Sequence, residues 1–153
     1  MLVLLDTSPL GMVTHPKASG NNLACTNWLK GLLAKGVEIR VPEICDYELR
    51  RELVRAQKAA GIEKLDKLGE AVGYLPLNTE IMRKASELWA DLRNNGQPTA
   101  SDDALDGDVI LAAQAIILSQ QSEYHGIRIV IATSNVGHLA RMADADSWGN
   151  IVA

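Results

Sequence analysis

The chain has 153 residues, 47% of them hydrophobic and 22% charged, with a formal net charge of −4. That length suits one globular domain with a sizeable core, and the acidic balance excludes an overall basic field that would draw in nucleic acid. No run approaches the roughly 18 apolar residues of a membrane span, and Cys25 and Cys45 are too few for a disulfide framework or a zinc site.

The N-terminus, MLVLLDTSPL, lacks a basic n-region. It reads as a strand over residues 2–6 rather than a signal peptide, so a cytoplasmic location is expected. SPLGMVTHPKASGNN, rich in Pro, Gly, Ser and Asn, reads as a loop. Leu23, Trp28, Leu29, Leu32 and Leu33 recur at helical spacing, and Gly36 ends that helix. VEIRV, residues 37–41, is a second strand. Pro42 then opens a helix, EICDYELRRELVRAQKAA, expected to continue to about Gly61. Ile62, Leu65, Leu68 and Val72 mark another helix, and YLPL a brief strand. Asn78 and Thr79 cap the next helix, whose apolar face runs from Ile81 to Leu92.

The polar segment NNGQPTASDDALDG leads into DVILAAQAIIL, a helix with almost no polar face. RIVIAT, residues 128–133, is a buried strand, SNVGHLARMA a short helix, and NIVA a last edge strand. Alternating strands and helices argue for an α/β domain with a mainly parallel sheet and right-handed crossovers. In such sheets ligands bind beyond the carboxyl ends of the strands, so residues just after strands carry the functional interest.

Acids fall there. Asp6 closes the first strand; alone, such an aspartate also serves as a turn cap. Glu48 lies a turn and a half into its helix and either faces the sheet edge or pairs outward with Arg51 or Arg55. Four aspartates, Asp102, Asp103, Asp106 and Asp108, precede the apolar helix. Asp103 or Asp106 would cap it, and Asp108, on the face of Ala112 and Ala115, would aim at the strand ends. Asn135 follows RIVIAT as Asp6 follows the first strand, suiting a ligand network or a helix cap. His138 reads as a surface or packing histidine. Arg50, Arg51, Arg55 and Arg141 are candidate phosphate contacts, with a solvated face as the plainer alternative.

LLDTSPL, VPEICDYELRREL, LDGDVILAAQA and IATSNVGHL, in that order, resemble the PIN-domain nucleases, including the VapC-type toxins of bacterial toxin–antitoxin pairs. The resemblance spans residue 2 to about residue 148. It implies a three-layer α/β sandwich in which helices flank a central, mainly parallel sheet. It also implies an acidic pocket for Mg²⁺ or Mn²⁺. By motif, Asp6, Glu48 and Asp108 match the recurrent catalytic and metal-binding acids, and Asp106 would join as an outer ligand or through water. Thr7, with Thr133 or Ser134, would orient carboxylates and water.

Asn135 stands where a fourth acid is common, which weakens the case for a second tightly held ion. The implied reaction is metal-dependent hydrolysis of RNA, with Arg51 and Arg55 as substrate contacts. The implied partners are an antitoxin and a second copy of the chain. Trp28 and Trp89 would serve that dimer or the core. Ser8, two residues after Asp6, argues against a haloacid-dehalogenase-like site, and neither GxGxxG nor a P-loop occurs. A catalytically degenerate protein- or RNA-binding module of the same fold is the alternative.

Overall fold

The computed structural model describes residues 1–95 and 102–153, with backbone only for 102–104. Five strands, β1 (Leu2–Leu5), β2 (Glu38–Pro42), β3 (Tyr74–Leu75), β4 (Ile129–Thr133) and β5 (Ala145–Ser147), lie in the order β3-β2-β1-β4-β5. Every pairing among them is parallel. Six helices flank the sheet: α1 (Thr7–Val13), α2 (Gly20–Ala34), α3 (Glu43–Arg55), α4 (Ala59–Val72), α5 (Thr79–Asn94) and α6 (Asp102–Ser119). This is a PIN-like α/β sandwich.

The central strand β1 has no solvent exposure along Leu2, Val3, Leu4 and Leu5. A parallel strand covered on both faces needs such an unbroken apolar run. From β1 the chain moves outward through β2 and β3, then returns to lay β4 on the other side of β1. The strand order therefore reverses between β1 and β4, and the crevice at their carboxyl ends is the expected ligand position.

Helix α6 lacks a polar face because it is packed on two sides. Leu111, Ala115 and Leu118 join the core over the sheet. Leu105, Val109, Ala113 and Ile117 meet Ile81 and Ala85 of α5 in a second cluster. Gln114, fully buried, donates from Nε2 to the Leu75 carbonyl at 2.7 Å, tying α6 to the β3 edge.

Four local expectations are corrected. The segment read as a loop after Asp6 contains α1. Asp6 caps that helix, accepting from the Thr7 N–H at 2.7 Å, and Pro9 falls in the first turn, where its missing N–H costs nothing. The helix expected to reach Gly61 stops at Arg55. Gln57 takes a left-handed conformation, φ 55°, while the Lys58 N–H reaches the Leu53 carbonyl and the Gln57 N–H reaches Val54. This is a Schellman closure made without glycine.

SNVGHLARMA provides only a 3-10 turn, Leu139–Arg141. NIVA is not a strand. The edge strand is the preceding Ala145–Ser147, and Ile151 instead buries itself near Trp28, whose indole N–H donates to the Ile151 carbonyl at 2.9 Å. Trp28 also packs on Trp148, with ring centroids 5.7 Å apart, so it anchors the C-terminal segment.

Candidate active site

Asp6 is still engaged in the sheet, its N–H donating to the Ala132 carbonyl at 3.0 Å. Its carboxylate leaves the strand end already oriented. Oδ1 accepts from the Thr7 N–H, and Oδ2 accepts from the fully buried Thr133 hydroxyl at 2.7 Å. The cap expected of an isolated aspartate is thus real, but it uses one oxygen, and the other is fixed across the switch point by β4.

Thr7 also donates from its hydroxyl to Glu48 Oε1 at 3.1 Å. One residue therefore holds two carboxylates, one from β1 and one from α3. The other Glu48 oxygen faces Gly107 of α6. A Cβ at Gly107 would stand 2.6 Å from Oε2, so a side chain here would displace Glu48 from its present position.

Asp108 lies in the second turn of α6 and is half-buried. Burial pushes its carboxyl up to about 6; the Asp6 charge adds to this, His138 opposes it, and Glu48 adds a little more. Glu48 is likewise raised, by burial first, against the hydrogen bond from Thr7, with the Asp6 charge raising it further. Asp6 and Glu48 are thus joined through Thr7 at the carboxyl end of β1, and Asp108 lies near enough to feel both of their charges.

As they stand, no three His, Cys, Asp or Glu side chains among the described residues are disposed to enclose an ion. The donors nonetheless suit a hard cation that keeps its own water. They are all carboxylate oxygens, and each oxygen that accepts one hydrogen bond retains a second acceptor site. A dication would relieve the repulsion that raises Glu48 and Asp108.

Asp106 does not share that orientation. Two residues apart on a helix, it projects about 200° from Asp108, and it is exposed at the rim beside Glu48 and Gly107. As an interior residue of α6 it is not the cap either; the Asp103 side chain lies outside the described residues. Asn135 is exposed, its Oδ1 lies over Gly137, and its N–H donates to Thr133 Oγ1 at 3.0 Å. It braces the threonine that braces Asp6. Ser134 accepts from the Ser8 hydroxyl at 2.8 Å, across the mouth of the β1–β4 crevice.

The arginines separate clearly. Arg50 is committed to Asp46 and Asp66, joining α3 to α4. Arg55 clasps Glu52 on the exposed face. Arg141 lines a separate concavity with Leu88, Asp91 and Met142. Of these four, Arg51 alone borders the Glu48 mouth. Trp89 stays 39% exposed beneath Arg93, on the concavity that Asp106 shares with Met82.

Two neighbours were not legible as site residues. Cys45, one of two cysteines too few for a disulfide framework or a zinc site, lies 3.8 Å from Asp6 Oδ1 as a weak S–H donor. Burial first, and the Asp6 charge second, hold it protonated. Its spacing of three residues from Glu48 was the available signal. His138, read as a surface or packing histidine, sits near enough to Asp108 for its charge to be felt.

The raised Asp108 carboxyl predicts a stability profile for the metal-free protein. Because its folded value of about 6 exceeds the ordinary 3.8, its stabilising contribution is complete below the lower value and is lost as pH rises through the upper one. Melting followed by fluorescence in EDTA should show the gap between wild type and Asp108→Asn widening in the variant's favour from pH 4.5 to 7.5. A constant gap across that range overturns this reading.

Fold and site together define an α/β sandwich with an acidic crevice at its switch point. The sequence matches no family model. No curated protein matches it either. Solved structures do match. A chain of VapBC2 from Rickettsia felis, bound to a DNA fragment from its promoter, superposes with a TM-score of 0.71 at 20% identity, covering 97% of this chain and 99% of that one. A chain of VapBC-1 from nontypeable Haemophilus influenzae gives 0.69 at 18% identity, covering 98% and 100%. At such identity the likeness establishes the fold.

Proposed function

We propose that the chain is a divalent-metal-dependent endoribonuclease using Mg²⁺ or Mn²⁺, the toxin of a toxin–antitoxin pair. The observation that carries this reading is the Asp6–Thr7–Glu48 linkage beside Asp108, placed at the β1–β4 switch point. The full-length fold likeness to chains of VapBC assemblies supports the toxin assignment and an antitoxin partner. A homodimer and a cytoplasmic location go with the same reading. No helix among the described residues is long and apolar enough to cross a membrane.

Asp6, Glu48 and Asp108 would hold the ion, which supplies water activation and charge stabilisation on the phosphoryl group. Thr133 and the Thr7 N–H keep Asp6 in one rotamer, and the Thr7 hydroxyl does the same for Glu48. Such bonds to ligand carboxylates set their orientation and basicity. Cys45 stays a neutral thiol against Asp6 and so adds no charge to the cluster. Arg51, at the mouth, offsets the acidic field toward an incoming phosphate.

The test is incubation with unstructured and structured RNA in Mg²⁺, in Mn²⁺ and in EDTA. We expect cutting with either ion and none in EDTA. Cutting in EDTA, or no cutting with either ion, rejects the nuclease. In the second case, an ion-induced rise in melting temperature would mark a non-catalytic binding module.

A further inference from the structure

We propose that Tyr47 and Arg51 form a stacking subsite for one unpaired base of single-stranded RNA, immediately outside the acid cluster. This deepens the nuclease reading and rests on it. Tyr47 is 56% exposed, so its ring is open to a ligand. It precedes Glu48 on α3, and the Arg51 guanidinium lies over its ring, 5.2 Å from the centroid. Both residues line a concavity of about 430 Å³, together with the carboxylates of Glu48, Glu52 and Asp106 and the apolar Ile44 and Ile110. Ligand-binding clefts commonly fall between about 300 and 1,000 Å³.

An unpaired base with its phosphate suits an exposed aromatic ring paired with an arginine. The protein is acidic and the cluster more so, so a polyanion needs a local contact that does not depend on the overall field. Stacking supplies one, because every base has a π-face. Arg51 supplies the charge. Arg50 and Arg55 are spent on carboxylates, whereas Arg51 lies on the Tyr47 ring, close enough to Glu48 and Glu52 to feel their charges but, among the described residues, in no ion pair. A guanidinium on an aromatic face can also stack on a second base or turn to a phosphate. A base seated here would bring its flanking phosphate toward Glu48, whereas a duplex, with its bases already stacked, could not engage the ring.

The experiment separates the subsite from the chemistry. In an Asp108→Asn background with Mg²⁺, anisotropy of a labelled, unstructured RNA oligomer is read for Tyr47, Tyr47→Phe, Tyr47→Ala and Arg51→Ala. Circular dichroism confirms folding, and light scattering gives the mass. We expect Tyr47→Ala to weaken binding about tenfold and Tyr47→Phe less than twofold. Arg51→Ala should weaken it and flatten the salt dependence. Duplex RNA of the same sequence should be indifferent to Tyr47→Ala.

In the wild-type background, Tyr47→Ala should raise KM far more than it lowers kcat. Unchanged oligomer binding by Tyr47→Ala overturns the subsite even if RNA is cut. Loss of binding together with a changed mass also overturns it, and assigns the face to a protein interface. Tyr47-dependent binding by a protein that cuts nothing keeps the subsite and removes the nuclease.

Discussion

Asp6→Asn is expected to abolish metal-dependent RNA cleavage, by about a thousandfold or more, and to leave a protein that melts higher than the wild type when no metal is present. The activity loss follows from removing a charged ligand. Metal-based charge stabilisation is worth several kcal/mol, and about 1.4 kcal/mol is a tenfold change in rate. The fold should survive because asparagine keeps an oxygen for the Thr7 N–H. The Thr133 hydroxyl can then accept from the new amide and donate to the Asn135 carbonyl, 3.3 Å away.

The stability gain follows from relief of repulsion. The Asp6 charge is one of the causes that raise both Glu48 and Asp108, so its removal lowers both and eases the metal-free site. Functional clusters of like charge commonly carry such a cost. Thermal melts at pH 7.5 should show the variant a few degrees above wild type in EDTA, with the Mg²⁺-induced rise lost. A variant that cuts RNA as the wild type does would remove Asp6 from the chemistry, and one that unfolds would make its role structural.

Gly107→Ala should lower cleavage by about 10- to 100-fold with no loss of thermal stability. In a helix interior alanine is intrinsically favoured over glycine by about 1 kcal/mol. The new methyl would stand 2.6 Å from Glu48 Oε2, and the neighbour that must yield is the flexible end of a half-exposed side chain rather than backbone. The glutamate can swing away cheaply, but doing so gives up its 3.1 Å bond from Thr7 and its place near Asp108. A displacement of about 1 Å in a catalytic group costs on the order of 10²-fold. Melting temperature and kcat, measured together, decide it: full activity, or a loss of stability that tracks the loss of activity, overturns the close-approach argument.

Where the sequence was readable, it was readable for local reasons. LVLL and IVIA, the apolar stretches of the first and fourth strands, run without a polar break, which a doubly covered strand accommodates, and the two strands became neighbours at the centre of the sheet. Where it misled, another local rule had won. A Pro- and Gly-bearing segment still made α1, because the aspartate before it supplied a cap and the proline fell where no N–H was needed. The α3–α4 boundary had no glycine to announce it, since Gln57 took the left-handed position itself. NIVA carried β propensity, yet ADS took the edge, with Arg128 pairing to Asp144 just ahead of it.

By itself, then, the sequence determined the alternation of strands and helices, the parallel sheet and the placing of an acid at the end of its first strand. Each of these depends on periodicity and turn chemistry within a few residues. The motif resemblance offered Thr7 with Thr133 or Ser134 for the acids and Arg51 with Arg55 for the substrate; only the tertiary structure chose among them, giving Thr133 to Asp6, Ser134 to Ser8, and Arg51 rather than Arg55 to the Glu48 mouth. Thr133 reaches Asp6 from 127 positions away and Thr7 reaches Glu48 from 41, and Arg50 is withdrawn by Asp66 of a neighbouring helix. Such pairings arise from how the layers stack, and the spacing of residues along one segment carries no trace of them.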